Sequence, residues 1–237
     1  YTINSLLIDG TGSIAISNDI DLNGSNITVT NSLSGPITIA DDIVFQNNDN
    51  TIINSSNSVI TLSGTNSDID FNGRRATIEN HGIINLNGNL SDAEPGEVEC
   101  HNFSDATWNF GGDNFSNSLV QLFCSYDNNT FNYSRTGNQN MITPQDAYWH
   151  IELSGAGNKS ATGNFAVKGD WTNTNVTFIP GTWEVTFNGT GDQDITKTAG
   201  IEGFTDLRVD KISGMKLVIY HDHSKTETFK TTFAQLA

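Results

Sequence analysis

Ser58-Val59-Ile60-Thr61-Leu62, Asp68-Ile69-Asp70-Phe71-Asn72-Gly73 and Gly82-Ile83-Ile84-Asn85-Leu86 decide the architecture of this chain. Each carries the two-residue alternation of a half-buried strand, and a turn dipeptide closes the second. None holds an apolar i, i+3, i+4, i+7 pattern for the ~10 residues that a helix requires. Upstream the same signal recurs in Ser13-Ile14-Ala15-Ile16-Ser17, Asn26-Ile27-Thr28-Val29-Thr30 and Pro36-Ile37-Thr38-Ile39-Ala40. Turn clusters such as Asp9-Gly10-Thr11-Gly12, Asn23-Gly24 and Asn47-Asn48-Asp49-Asn50 stand between these segments.

Short strands at this spacing build a sandwich, a barrel or a solenoid. Corners rich in Asn and Ser favour the solenoid, because Asn side chains one coil apart can hydrogen-bond along the stack. Only 16% of the residues are charged, as suits a ladder that would set like charges under ~5 Å apart on neighbouring rungs. The expectation is an all-β chain: a single-stranded, right-handed parallel β-helix forming one elongated domain over residues 1–237. An antiparallel β-sandwich fibre subunit is the alternative.

The 237 residues include 30 Asn, 48 Ser plus Thr and 22 Gly, with 11 Lys plus Arg against 27 Asp plus Glu and a net charge of −16. With no basic run longer than Arg74-Arg75, the surface offers little to phosphates, so nucleic acid and anionic membranes are excluded as partners. No apolar run approaches the ~20 residues of a membrane span, and no charged, apolar leader opens the chain, which reads as a mature or excised piece. Eleven Asn-x-Ser/Thr sequons exceed the roughly six expected by chance only mildly. Composition and the paired cysteine count point to an extracellular or cell-surface setting.

Aromatic residues concentrate from Glu97 to Trp149, in His101-Asn102-Phe103, Trp108-Asn109-Phe110, Leu122-Phe123-Cys124-Ser125-Tyr126, Phe131-Asn132-Tyr133 and Tyr148-Trp149. Such alternation serves either a core or an exposed face on which sugars stack, and its continuity with non-aromatic segments favours the core. Cys100 and Cys124 lack metal-finger spacing and lie 24 residues apart, close to one coil of a three-sided solenoid. Equivalent positions on adjacent coils bring Cα atoms to about 4.8 Å, so a disulfide between neighbouring coils is expected, with a bond between subunits as the alternative.

From Gly163 to Leu217 the order of residues is distinctive. Gly169-Asp170-Trp171-Thr172-Asn173 is followed by Val176-Thr177-Phe178, then Gly181-Thr182-Trp183-Glu184-Val185-Thr186-Phe187-Asn188-Gly189-Thr190-Gly191-Asp192-Gln193-Asp194-Ile195, then Phe204-Thr205-Asp206-Leu207-Arg208-Val209. This quarter of the chain resembles the repeats of very large bacterial surface and secreted proteins of adhesin type. The resemblance implies a parallel β-solenoid and carries over no catalytic residue. It departs at Ile219-Tyr220-His221-Asp222-His223, so residues 219–237 are expected to form a terminal cap or a contact with another subunit.

Polysaccharide lyases and hydrolases also use parallel β-helices, and they need clustered carboxylates beside Arg or Lys. Asp68 and Asp70 with Arg74 and Arg75, and Asp41 with Asp42, are the local candidates, yet two acids on one strand side also describe a solvated face. Asp192 with Asp194 fits the same description. His221 and His223 are the weak metal candidates, sharing one strand side; His81, His101 and His150 are isolated. Calcium has no motif behind it, since Asn47-Asn48-Asp49-Asn50 lacks loop spacing and a closing Glu. No cofactor is expected. Threonine rows of the kind that form a flat face occur only as fragments, at Thr172-Asn173-Thr174 and Thr28-Val29-Thr30.

Residues 208–237 carry +2 and the remainder −18. Within this stretch Thr226, Thr228, Phe229, Lys230 and Phe233 lie on an alternating strand that could cap an open end or join a neighbouring subunit head to tail. The functional expectation is a non-enzymatic structural or adhesive module of a cell-surface or filament-forming protein, with other subunits or surface polymers and glycans as partners. A β-helical carbohydrate-active enzyme is the rival.

Overall fold

The computed structural model describes residues 5–64, 67–91, 97–113, 120–199, 202–211 and 215–221, with the side chains of 218–221 left aside. Every strand pair among them is parallel, and they contain no helix. The chain winds through about eight turns of a parallel β-solenoid. The sandwich alternative, which needs antiparallel hairpins, is set aside.

Three faces form each turn. One sheet stacks Ser5–Gly10, Thr28–Leu33, Asn50–Asn54, Ala76–Asn80, Val98–Asn102 and Val120–Phe123. Bridges from Cys124 to Tyr148 and from Tyr148 to Val167 carry this face on to Phe165–Val167, Glu184–Phe187 and Asp206–Val209. The second face is a ten-stranded sheet from Ile14–Ile16 to Leu217–His221. The third begins with Ile20–Leu22, Ile43–Phe45, Ile69–Asp70 and Leu90–Ser91, and later holds Gln139–Asn140, Asn158–Ser160 and Thr177–Ile179.

Alternation fills the interior. Along the second face Ile60, Ile84, Trp108, Phe131, Ile151 and Trp171 occupy successive inward positions, each buried and each directly over the last. At the corner between the first and second faces the inward row is polar. Nδ2 of Asn31 donates to Oδ1 of Asn54 (2.9 Å), Asn54 to Asn80 (2.9 Å) and Asn80 to Asn102 (2.8 Å), all buried. The second amide hydrogen reaches a backbone carbonyl one coil on: Ile83 from Asn54, Thr107 from Asn80 and Thr130 from Asn102. The Asn-rich corners thus satisfy backbone groups that leave the strand ladders, which a buried corner demands.

Elsewhere Gln and Lys serve the same purpose from the next coil. Gln139 donates to the carbonyls of Phe110 and Gly112, Gln193 to those of Val167 and Gly169, and Lys211 to those of Gly189 and Gly191. Lys159, fully buried, donates to Arg135 and Gly137.

The expected Cys100–Cys124 bond is not formed: both thiols are buried and free. Register explains it. Cys100 lies opposite Leu122, an offset of 22 residues, so Cys124 sits two residues beyond the position above Cys100. Two residues of strand combined with one rung separate the Cα atoms by about 8 Å, beyond the ~7 Å a disulfide spans. Burial raises both thiol pKa values far above normal. The two thiols should therefore resist a thiol reagent in the native protein and titrate only after denaturation; rapid native labelling would contradict this packing.

Candidate functional site

The acidic candidates resolve into a corner ladder. Oδ1 of Asp19 accepts the backbone N–H of Asp42 (3.2 Å), Oδ1 of Asp42 that of Asp68 (2.7 Å), Oδ1 of Asp68 that of Asn89 (2.7 Å), and Oδ1 of Asn89 that of Asp113 (3.0 Å). Asp70 caps a turn through the N–H of Asn72, and Arg75 pairs with Asp49 at 3.0 Å in solvent. Asp68 is thus engaged at the corner, Asp70 in its own turn, and Arg75 with Asp49 on the neighbouring coil. Carboxylate oxygens of Asp19, Asp41 and Asp42 lie within 4.8 Å of one another, and no Lys or Arg precedes Arg74 in the chain.

A second ladder passes through a histidine. Nδ2 of Asn128 donates to Asp105, Nε2 of His150 meets Oδ1 of Asn128 (3.3 Å), Nδ1 of His150 accepts the N–H of Asp170 (2.9 Å), and Oδ1 of Asp170 accepts the N–H of Asp194 (2.9 Å). These contacts require neutral imidazole with its proton on Nε2. Burial lowers the His150 pKa, partly offset by Asp170. The unfolded chain then takes up this proton first, so stability should decline as pH falls below 6.5, the ordinary value. His150→Asn should flatten that decline in thermal melts from pH 7 to 5; an unchanged slope would refute the assignment. Asp192 accepts the N–H of Lys216 (2.8 Å) and is likewise a corner residue.

The aromatic segments divide. Trp108, Phe110, Phe131, Tyr133 and Tyr148 fill the core, as expected. His101, Phe103, Phe123 and Tyr126 instead point outward on and beside the first face, because Cys100, Asn102 and Leu122 between them take the inward positions. The inward-facing Cys100 and Asn102 in Cys100-His101-Asn102-Phe103 were the signal that could have revealed this. Rings stack from rung to rung: His81 on Phe103 (centroids 4.2 Å apart, 4° between planes), His101 on Phe123 (4.6 Å, 7°), and Tyr126 against Phe103 (4.5 Å, 39°). Glu99 pairs with His101 at 3.2 Å and Glu79 with His81 at 3.8 Å. Burial, then the carboxylates of Asp146, Glu79 and Glu99, raise the Tyr126 pKa, so three acids bear on one hydroxyl.

His221 ends the tenth strand of the second face, and its side chain, like His223, lies outside the described residues. So do Thr226, Thr228, Phe229, Lys230 and Phe233. Fold and surface together define a parallel β-solenoid with one outward aromatic and acidic face. No family model, curated protein or solved structure matches the chain.

Proposed function

We propose that this chain is a non-enzymatic, extracellular structural or adhesive β-solenoid module, as the resemblance of residues 163–217 to bacterial surface repeats suggests, and that it works by presenting a rigid binding face. The observation that supports this reading is how the carboxylates are used: those a β-helical lyase or hydrolase would gather beside Arg or Lys instead cap backbone N–H groups at corners. Among the outward-facing groups, the aromatic stack with Glu79 and Glu99 suits contact better than turnover. Partners are surface polymers, glycans or other subunits, with head-to-tail assembly through residues 219–237 as one form. Labelled protein incubated with intact cells and with neutral and acidic polysaccharides tests it, reducing ends being followed in parallel. Retention without new reducing ends is expected. Catalytic depolymerisation would make it an enzyme, and absence of retention on every surface would remove the adhesive reading.

A further inference from the structure

We propose that the outward aromatic and acidic face over the strands Ala76–Asn80, Val98–Asn102 and Val120–Phe123 docks an extended, Lys- or Arg-bearing peptide segment, an inference that rests on the binding reading above. Charge selects the partner. No Lys or Arg occurs between Arg75 and Arg135, so from this stretch Glu79 and Glu99 have only the imidazoles of His81 and His101 beside them, and a permanent cation is not supplied. Anionic glycans are repelled by such a surface. A stacking sugar is disfavoured for a different reason: the pairs His81 with Phe103 and His101 with Phe123 already cover one face of each ring.

Spacing selects an extended partner. Glu79 lies opposite His101, so Glu99 is one rung on and two residues along, about 8 Å away by strand geometry. Alternate side chains of an extended peptide stand about 7 Å apart, so a Lys-x-Lys run can address both carboxylates while its intervening residue and lysine stems lie across the aromatic rings. The rigid grid adds little ordering cost on the protein side.

An eight-residue peptide of alternating Lys and Thr is the probe, titrated calorimetrically against the full chain at low salt. The pair Glu79→Gln and Glu99→Gln should weaken binding about tenfold, the worth of two partly exposed charge pairs. Phe103→Leu with Tyr126→Leu should weaken it at constant charge, whereas Asp19→Asn with Asp41→Asn, away from this face, should leave it unchanged. Equal losses in the near and distant acid pairs would show that the peptide follows net charge alone and would overturn the proposal. So would absence of peptide binding, or a neutral oligosaccharide competing for the same residues. The Glu→Gln pair keeps the test open if the aromatic variants fail to fold. Cell and glycan retention persisting without peptide binding overturns this proposal alone; peptide binding at this face without retention overturns only the adhesive reading.

Discussion

Replacing Asn80 by Ala should lower the free energy of unfolding by roughly 3–5 kcal/mol. Asn80 is fully buried and joins two rungs at once. Its Nδ2 donates to Asn102 and to the Thr107 carbonyl, and its Oδ1 accepts from Asn54 and from the N–H of Gly82. Removal strips the Oδ1 of Asn102 and the N–H of Gly82 of these partners in a place water does not reach, at about 1–3 kcal/mol each, before the lost packing is counted. Gly82 cannot relax freely, because its backbone passes so close to the Ser55 and Ser58 carbonyls that even a Cβ would collide. Asn80→Asp should be worse near neutrality, since a carboxylate cannot donate to Thr107, and should recover as acid protonates it. Asn85→Ala offers the contrast: Asn85 sits in an outward row, bonded to Thr61 and Asn109, and should lose under about 1 kcal/mol. Denaturant titration of the three variants decides the matter. Similar losses for Asn80→Ala and Asn85→Ala would mean that the buried row does not hold the coils together.

Lys159→Met should cost about 3 kcal/mol, and Lys159→Gln should cost little, because Gln139 already performs the same double donation one coil earlier. Methionine fills the volume and leaves the Arg135 and Gly137 carbonyls without their buried donor. The wild-type lysine also leaves a trace in pH. Burial, and then the like charge of Arg135, pull its pKa from 10.5 down to about 8. Between these values the unfolded chain binds more protons than the native one, so stability should rise with pH over this window, by up to about 3 kcal/mol. Lys211, whose pKa burial also lowers, contributes in the same direction, so the diagnostic quantity is the difference between wild type and Lys159→Gln. If both gain stability equally from pH 8 to 10, Lys159 does not titrate as its burial dictates.

The sequence shows the inward rows plainly and the register poorly. Ile60, Ile84 and Ile151 announce themselves by alternation, and the Asn-rich corners foretold stacked amides. Corner length is what hides the register: equivalent strand residues are 23 apart from Ser5 to Thr28, 26 from Asn50 to Ala76 and 22 from Ala76 to Val98. A coil assumed to be 24 residues long pairs Cys100 with Cys124, whereas the actual 22 places Leu122 there. Lys159 was illegible for another reason. Alternation assigns a lysine between Asn158 and Ser160 to solvent, and only the two carbonyls turned inward at Arg135 and Gly137 make the interior hospitable to an ammonium. The outward stack escaped notice because aromatic density by itself does not tell which side of a strand it occupies. The use of the acids was legible only in part: alternation places Asp68 and Asp70 on one side of their strand, and it does not show that Asp68 accepts the N–H of Asn89 one coil on.

The asparagine row ends at Asn102; one rung further its place is taken by Cys124, then by Tyr148 and Val167. For a chain pulled from its two ends, that substitution is a change of material. From Asn31 to Asn102 each coil is tied to the next by directional amide bonds through the corner, which hold until they break and then yield together. On the later side the same row is held by packing and by the hydroxyl of Tyr148, and the coils are tied elsewhere, by Gln139, Lys159, Gln193 and Lys211. Each coil of 22 residues that peels away adds roughly 70 Å of slack, so the length released marks how many coils have gone. An extending load would meet two kinds of tie, amide to amide up to Asn102 and side chain to carbonyl beyond it, and the aromatic face from His81 to Tyr126 straddles the change.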